Sequence, residues 1–200
     1  ADKKTGNQMI NAVLFVLTVL SVLVTGAFQE NVDIFAHPGQ IWRGWPFAVT
    51  LLGILTAHEL SHYFMGRRYG SPVSLPYFIP LPLLSILGTM GAVIVQRAPM
   101  RSRKALFDIG AAGPIGGLIV AIPLLIIGLM FSKVGHPSEF IPIEENTILS
   151  QEGNSLLYLG SKYLVHGEIL PNEEGEDVWL SPPSPGGTVA FAAWAGLLVT

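Results

Sequence analysis

The 200-residue chain has no cysteine. That excludes disulfides and thiolate metal ligands, so any metal here must be held by His, Asp or Glu. Charge is also scarce: 12% of the residues are Asp, Glu, Lys or Arg, against about a quarter in ordinary domains. The few charges are segregated along the chain, so the formal net charge of −3 says little, and no nucleic-acid partner is expected. What the chain does have is hydrophobicity. Half of its residues are apolar, in uninterrupted runs of about twenty, the length that crosses a bilayer.

The first run, Met9–Phe28, is interrupted only by Asn11, Thr18, Ser21, Thr25 and small residues. Lys3 and Lys4 before it imitate a signal peptide. The run exceeds the h-region length of about 7–15 residues, however, and Gly26-Ala27-Phe28 is a poor cleavage context, so it reads as a retained first span. His37 lies in a loop with no partner motif, and Trp42 and Trp45 suit an interfacial aromatic belt. A second span is expected over Phe47–Met65, a third over Phe107–Phe131 and a fourth beginning at Thr188. The fourth stops at Thr200, too soon to cross a hydrocarbon core of about 30 Å. The chain is therefore expected to be one domain over residues 1–200, cut inside its last span.

Between the second and third spans, Ser71–Gln96 has no charge, and Pro72, Pro76, Pro80 and Pro82 forbid a continuous helix. Residues 88–96 read as a strand. Arg67 and Arg68 precede this segment; Arg97, Arg101, Arg103 and Lys104 follow it. A crossing would place the two basic clusters in opposite compartments, whereas a re-entrant loop keeps all six on the cytosolic side. The expected fold is thus an all-α multi-pass helical bundle, with a re-entrant loop and short membrane-associated β-structure between spans two and three. Gly110, Gly113, Gly116 and Gly117 in the third span read as helix-packing positions. Residues 132–187 are acidic and poor in Lys and Arg, which reads as a solvated, non-cytosolic loop. Within it, Asn154–Val165 is amphipathic enough to rest on a membrane surface, and 182–187 reads as a linker.

The second span carries the chemistry. It ends in His58-Glu59-Leu60-Ser61-His62. On a helix, His58 and His62 project from one face, where two imidazoles reach one metal ion. Glu59 stands beside the ion's open position, where a carboxylate takes a proton from water. On a solvated helix the same pattern can be ordinary surface polarity. At bilayer depth, where a lone charge costs about 2.5–3.5 kcal/mol, polar groups mark function.

The chain resembles the site-2 protease family of intramembrane zinc metalloproteases, in its archaeal, cyanobacterial and plastid branch. The resemblance rests on HELSH at 58–62, Leu75-Pro76-Tyr77-Phe78-Ile79-Pro80, Gly88-Thr89-Met90-Gly91-Ala92, and Phe107-Asp108-Ile109-Gly110-Ala111-Ala112-Gly113-Pro114. It implies Zn²⁺ held by His58 and His62, with Glu59 as general base. The third ligand of the family, an aspartate in an Asp-Gly pair on a later helix, has no equivalent here. Asp108 belongs to a different motif and is not assigned as a ligand. Many members carry Gly-Pro-x-x-Asn in the third span; Gly117 stands at that asparagine's place. The implied substrate is a transmembrane protein whose unwound segment pairs with strand 88–96, giving Gly88, Thr89, Met90 and Gly91 a substrate-binding role. The expected location is the cell membrane, with the site opening toward the cytosol. Two rivals remain: a membrane metalloprotease of another clan acting on non-membrane chains, and an inactive metal-binding scaffold.

Overall fold

The computed structural model describes residues 8–96, 102–140, 152–182, 184 and 186–200. Lys3, Lys4, Arg97, Arg101, Glu144, Glu145, Pro183 and Pro185, which entered the sequence reading, lie outside the described residues.

The first helix, α1 (Gln8–Gln29), is inverted relative to a helix of a soluble protein. Its buried face carries Asn11, Thr18, Ser21 and Thr25, while Met9, Val13, Val16 and Leu20 are each about half exposed or more. Val22 and Ala27 are buried with them, and polar groups placed this way find their partners inside the protein, as they would have to in a hydrocarbon surround. Thr18 and Thr25 donate to the Leu14 and Ser21 carbonyls of their own helix, and the partners of Asn11 and Ser21 belong to the segment read as re-entrant. Asn11 Nδ2 donates to the carbonyls of Leu75 and Pro76 at 3.1 and 3.0 Å, and the Ser21 hydroxyl donates to the Gly88 carbonyl. The segment is a hairpin of β1 (Tyr77–Pro80) and β2 (Thr89–Val93), paired antiparallel with Tyr77 opposite Val93 and a register irregularity between Phe78 and Pro80. A bridge from Val73 to Gln96 continues the ladder. Gly88 turns the chain at φ +72° against Ser21, Val22 and Thr25, where a side chain has neither the dihedral nor the room.

A 3-10 turn (Pro38–Gly44) leads into α2 (Trp45–Arg68), the central helix, which packs on α1, α3 (Arg103–Met130) and α6 (Gly187–Leu198). Ser102 caps α3 by accepting from the Ala105 amide at 3.1 Å. Among the described residues, α1 and α3 have both the length and the apolarity to cross a bilayer. The expected second span has the length alone, because His58, Glu59, His62, Arg67 and Arg68 dilute its C-terminal half. The expected fourth is a helix of 12 residues, walled by α2 and α3.

The chain is mostly helical, with the expected short β-structure between the second and third long helices and a second small sheet that the sequence did not suggest. The acidic stretch after α3 is not merely a solvated loop: where described it folds into a lid. There β3 (Lys133–Gly135) pairs antiparallel with β4 (Asp177–Trp179), and the short α4 (Pro137–Phe140) follows β3. The amphipathic piece is α5 (Leu156–His166), which packs against α3 with Tyr158, Ser161 and Lys162 buried. The organising charge is Lys162. Its Nζ is fully buried, 2.7 Å from Asp177 Oδ1 and 3.4 Å from Glu152 Oε1, and lies over the Tyr158 ring. Tyr158 donates its hydroxyl to Glu152 at 2.7 Å, and burial followed by that carboxylate's charge raises its pKa. The expected linker is a folded joint: the Gly186 amide donates to the Phe131 carbonyl and the Lys133 amide to Ser184 Oγ, both at 2.9 Å.

Candidate metal centre

The HELSH residues lie in the C-terminal half of α2, and α3 packs across them at very short range. Close approach needs small residues on one partner, and α3 supplies them. A Cβ at Gly113 would fall 2.0 Å from His62 Nε2, one at Gly116 would fall 1.9 Å from Ser61 Oγ, and one at Gly117 would fall 3.4 Å from His58 Nδ1. Of the four glycines read from sequence as packing positions, Gly113 and Gly116 press on His62 and Ser61 of the motif, Gly117 packs on Thr200 and touches His58, and Gly110 faces open space.

The two imidazoles converge. His58 Nε2 and His62 Nε2 stand 3.0 Å apart. On the far side of its ring, His62 Nδ1–H donates to the Ile109 carbonyl at 2.7 Å, which fixes that tautomer and leaves Nε2 a bare lone pair. A lone pair aimed at a second ring nitrogen at this range needs a proton or a cation between them. Two nitrogens bound at 2.0–2.1 Å to one tetrahedral ion lie about 3.3 Å apart, close to the separation found. His58 Nε2 is the nitrogen that faces His62, while His58 Nδ1 is buried with no hydrogen-bond partner among the described residues. The pair fits zinc as two nitrogen ligands. Among the described residues, no third His, Asp or Glu joins them. Asp108 is turned away, accepting a hydrogen bond from the Tyr69 hydroxyl at the end of α2.

Glu59 is buried on the wall of a cavity of about 340 Å³, with His62 beside it. Ala92, Val93 and Ile94, from the hairpin and the residue after it, also line the cavity, and Ile109 contributes from α3. Val73 and Gln96 complete the lining, and a mostly apolar cleft with one carboxylate, one imidazole and one amide can seat an aliphatic segment and move a proton within it. Of the four hairpin residues singled out from sequence, none lines this cavity. Gly88 is pinned to α1. Thr89 is buried, donating to the Ile79 carbonyl at 2.9 Å and accepting from the Gly91 amide at 3.0 Å. Met90 is 70% exposed, and Gly91 (φ +95°) has open space around it. They shape the strand whose next residues reach the chamber. Sequence reasoning did not reach Ala92–Ile94 and Ile109 as lining residues; the strand-like reading of 88–96 was the available signal for the first three. His37 is exposed, and His136 and His166 belong to the lid at the other end of α3. From Gly113 to Met130 that is roughly 25 Å at 1.5 Å per residue.

Residues 46–193 match Peptidase family M50. The chain is 34% identical over 155 residues to the protein named probable zinc metalloprotease EGY1, chloroplastic, of Arabidopsis thaliana, covering 78% of this chain and 26% of that protein. It is 30% identical over 156 residues to the probable zinc metalloprotease EGY2, chloroplastic, of the same plant, covering 78% and 25%. With the EGY2 protein of Oryza sativa subsp. indica it shares 28% identity over 187 residues, covering 92% and 31%. The chain thus spans between a quarter and a third of the length of these relatives. No solved structure matches it.

Proposed function

The chain belongs to peptidase family M50, the site-2 protease family, and from that premise we propose that it carries the catalytic helix pair of a zinc metalloprotease cutting transmembrane helices within the bilayer. The observation that carries this reading is the pair of imidazole nitrogens 3.0 Å apart at the edge of an apolar chamber walled by a buried glutamate. His58 and His62 would hold zinc, completed by a ligand from outside the described residues. Zinc, when bound, supplies a Lewis acid that acidifies a water and polarises the scissile carbonyl.

The chain's own groups do the rest. The Ile109 carbonyl holds His62 in one tautomer. Glu59 takes the proton of the attacking water and passes it to the leaving amine nitrogen. The chamber accepts the aliphatic side chains of an unwound substrate, and β2 offers its backbone for pairing with that opened segment. The hairpin from Gly88 to Gly91 keeps the strand in place, its anchor on α1 holding it beside the chamber. A multi-pass membrane setting is supported by the inverted α1 and by the apolar length of α3. Exposed Arg67, Arg68, Arg103 and Lys104 at the motif end, against the acidic lid at the other, favour a site opening toward the cytosol.

Glu59→Gln in the full-length protein tests the assignment. Cleavage of a membrane-helix substrate should fall by about 10²–10⁴, with zinc still bound at one ion per chain. Undiminished cleavage contradicts the base; cleavage of soluble chains alone favours the rival enzyme reading.

A further inference from the structure

The ring of His62 is held from three directions. Its Nδ1–H donates to the Ile109 carbonyl at 2.7 Å. Its Nε2 faces His58 Nε2 at 3.0 Å. The third contact is flat: a Cβ built on Gly113 would lie 2.0 Å from Nε2, 2.3 Å from Cε1 and 2.5 Å from Cδ2. All three ring atoms fall within 3.0 Å, a range real Cβ atoms do not enter, so a methyl group here must displace the imidazole or the helix. Ile109 and Gly113 are four residues apart on α3 and share a face. One turn of helix thus supplies both the acceptor for the ring's edge and the flat bed for its plane.

We propose that Gly113 is a positioning residue for metal ligation, whose missing side chain seats the His62 imidazole so that its Nε2 meets that of His58. This rests on the zinc reading above. Gly113 stands apart from the other glycines of its helix. Gly110 has nothing within 4 Å of a built Cβ, Gly116 meets Ser61 and the Ala57 carbonyl but no imidazole, and Gly117 meets Thr200 first, with His58 Nδ1 only at an ordinary contact distance of 3.4 Å. A methyl at Gly113 moves the ring off the Ile109 carbonyl or turns Nε2 away from its partner. Loss of an outer group that orients a ligand typically lowers metal affinity by about 10–100-fold.

The test uses full-length protein in nanodiscs, with zinc affinity measured by chelator competition and site geometry by the visible absorption of the cobalt-substituted form. Gly113→Ala should lose affinity by about 10–100-fold and change the cobalt spectrum. Gly110→Ala should leave both close to wild type, and Gly116→Ala should change them clearly less than Gly113→Ala does. Gly116→Ala is the packing control, since it crowds the same helix pair without touching a ring. Equal losses in Gly113→Ala and Gly116→Ala overturn the proposal, because helix separation alone would then explain them. Unchanged affinity in Gly113→Ala also overturns it.

A second measurement needs no metal and covers a variant that assembles poorly. In a His62→Ala background the ring is gone, so adding Gly113→Ala should cost little further thermal stability, although it is costly in the wild type. An equal cost in both backgrounds sinks the inference. Wild-type protein that takes up no zinc overturns the metal reading itself and this proposal with it. That failure is separate from one in which wild type binds zinc and Gly113→Ala binds it equally well.

Discussion

Lys162→Met tests whether the lid is built around one buried ammonium group. The substitution keeps an apolar stem in the same space and strips the charge. Asp177 at 2.7 Å, Glu152 at 3.4 Å and Asn154 Oδ1 at 3.3 Å then face a thioether. Removing one partner of a buried ion pair costs about 3–5 kcal/mol. The carboxylate side chains retain 11% and 19% of their exposure and recover some hydration, which places the loss near the low end, about 3 kcal/mol. At about 1.36 kcal/mol per decade, that is roughly a 100-fold rise in local opening. Hydrogen exchange over residues 152–179 measures it directly. Protection there should fall by about two decades, while the α2–α3 contact around His62, roughly 25 Å away along α3, keeps its own. Neutralising Asp177 and Glu152 in the same protein should restore part of the loss. A fall of less than about tenfold, about 1.4 kcal/mol, would refute the ion pair as the lid's organiser. So would equal loosening at His62.

The hairpin and the lid each supply one more test. Gly88→Ala combines a left-handed backbone with a Cβ 2.5 Å from Thr25 Oγ1, whereas Gly91→Ala meets only the backbone cost in open space. Gly91→Ala should cost about 1–2 kcal/mol and Gly88→Ala clearly more, read as thermal stability; equal effects would mean that α1 does not grip the turn. The pKa of His166 lies below its ordinary value because burial disfavours the imidazolium, an effect Glu168 offsets in part, and its Nε2 has no hydrogen-bond partner. Opening the lid lets His166 bind a proton, so its contribution is intact above about pH 6.5 and is lost as pH falls toward the depressed value. Lid protection should drop as the pH falls below about 6.5, and His166→Gln should flatten that slope. An unchanged slope would place the titration elsewhere.

Much of the candidate centre was legible because its chemistry is local. His58, Glu59 and His62 sit within five residues of one helix, and the four-residue spacing alone puts both imidazoles on one face. The hairpin was legible for a similar reason: four prolines rule out a helix and the run after Gly88 favours a strand. Even the polar residues of α1 were visible, though not their use, since nothing in Asn11 or Ser21 names a carbonyl more than sixty residues away. The lid was misread because acidic composition suggests solvation. A single lysine, paired with Glu152 in the coil before α5 and with Asp177 on β4, reverses that inference.

The sequence by itself determined which atoms face one another within a helical turn, and so determined the imidazole pair and the glutamate beside it. Only the tertiary structure decided that the Ile109 carbonyl orients His62, that Gly113 is the bed on which its ring lies, and that Ala92–Ile94 close the chamber. Those relations join segments about thirty to fifty residues apart through backbone atoms and missing side chains. Neither leaves a periodicity or a motif in the chain, because every residue has a carbonyl and a glycine marks room without saying what fills it.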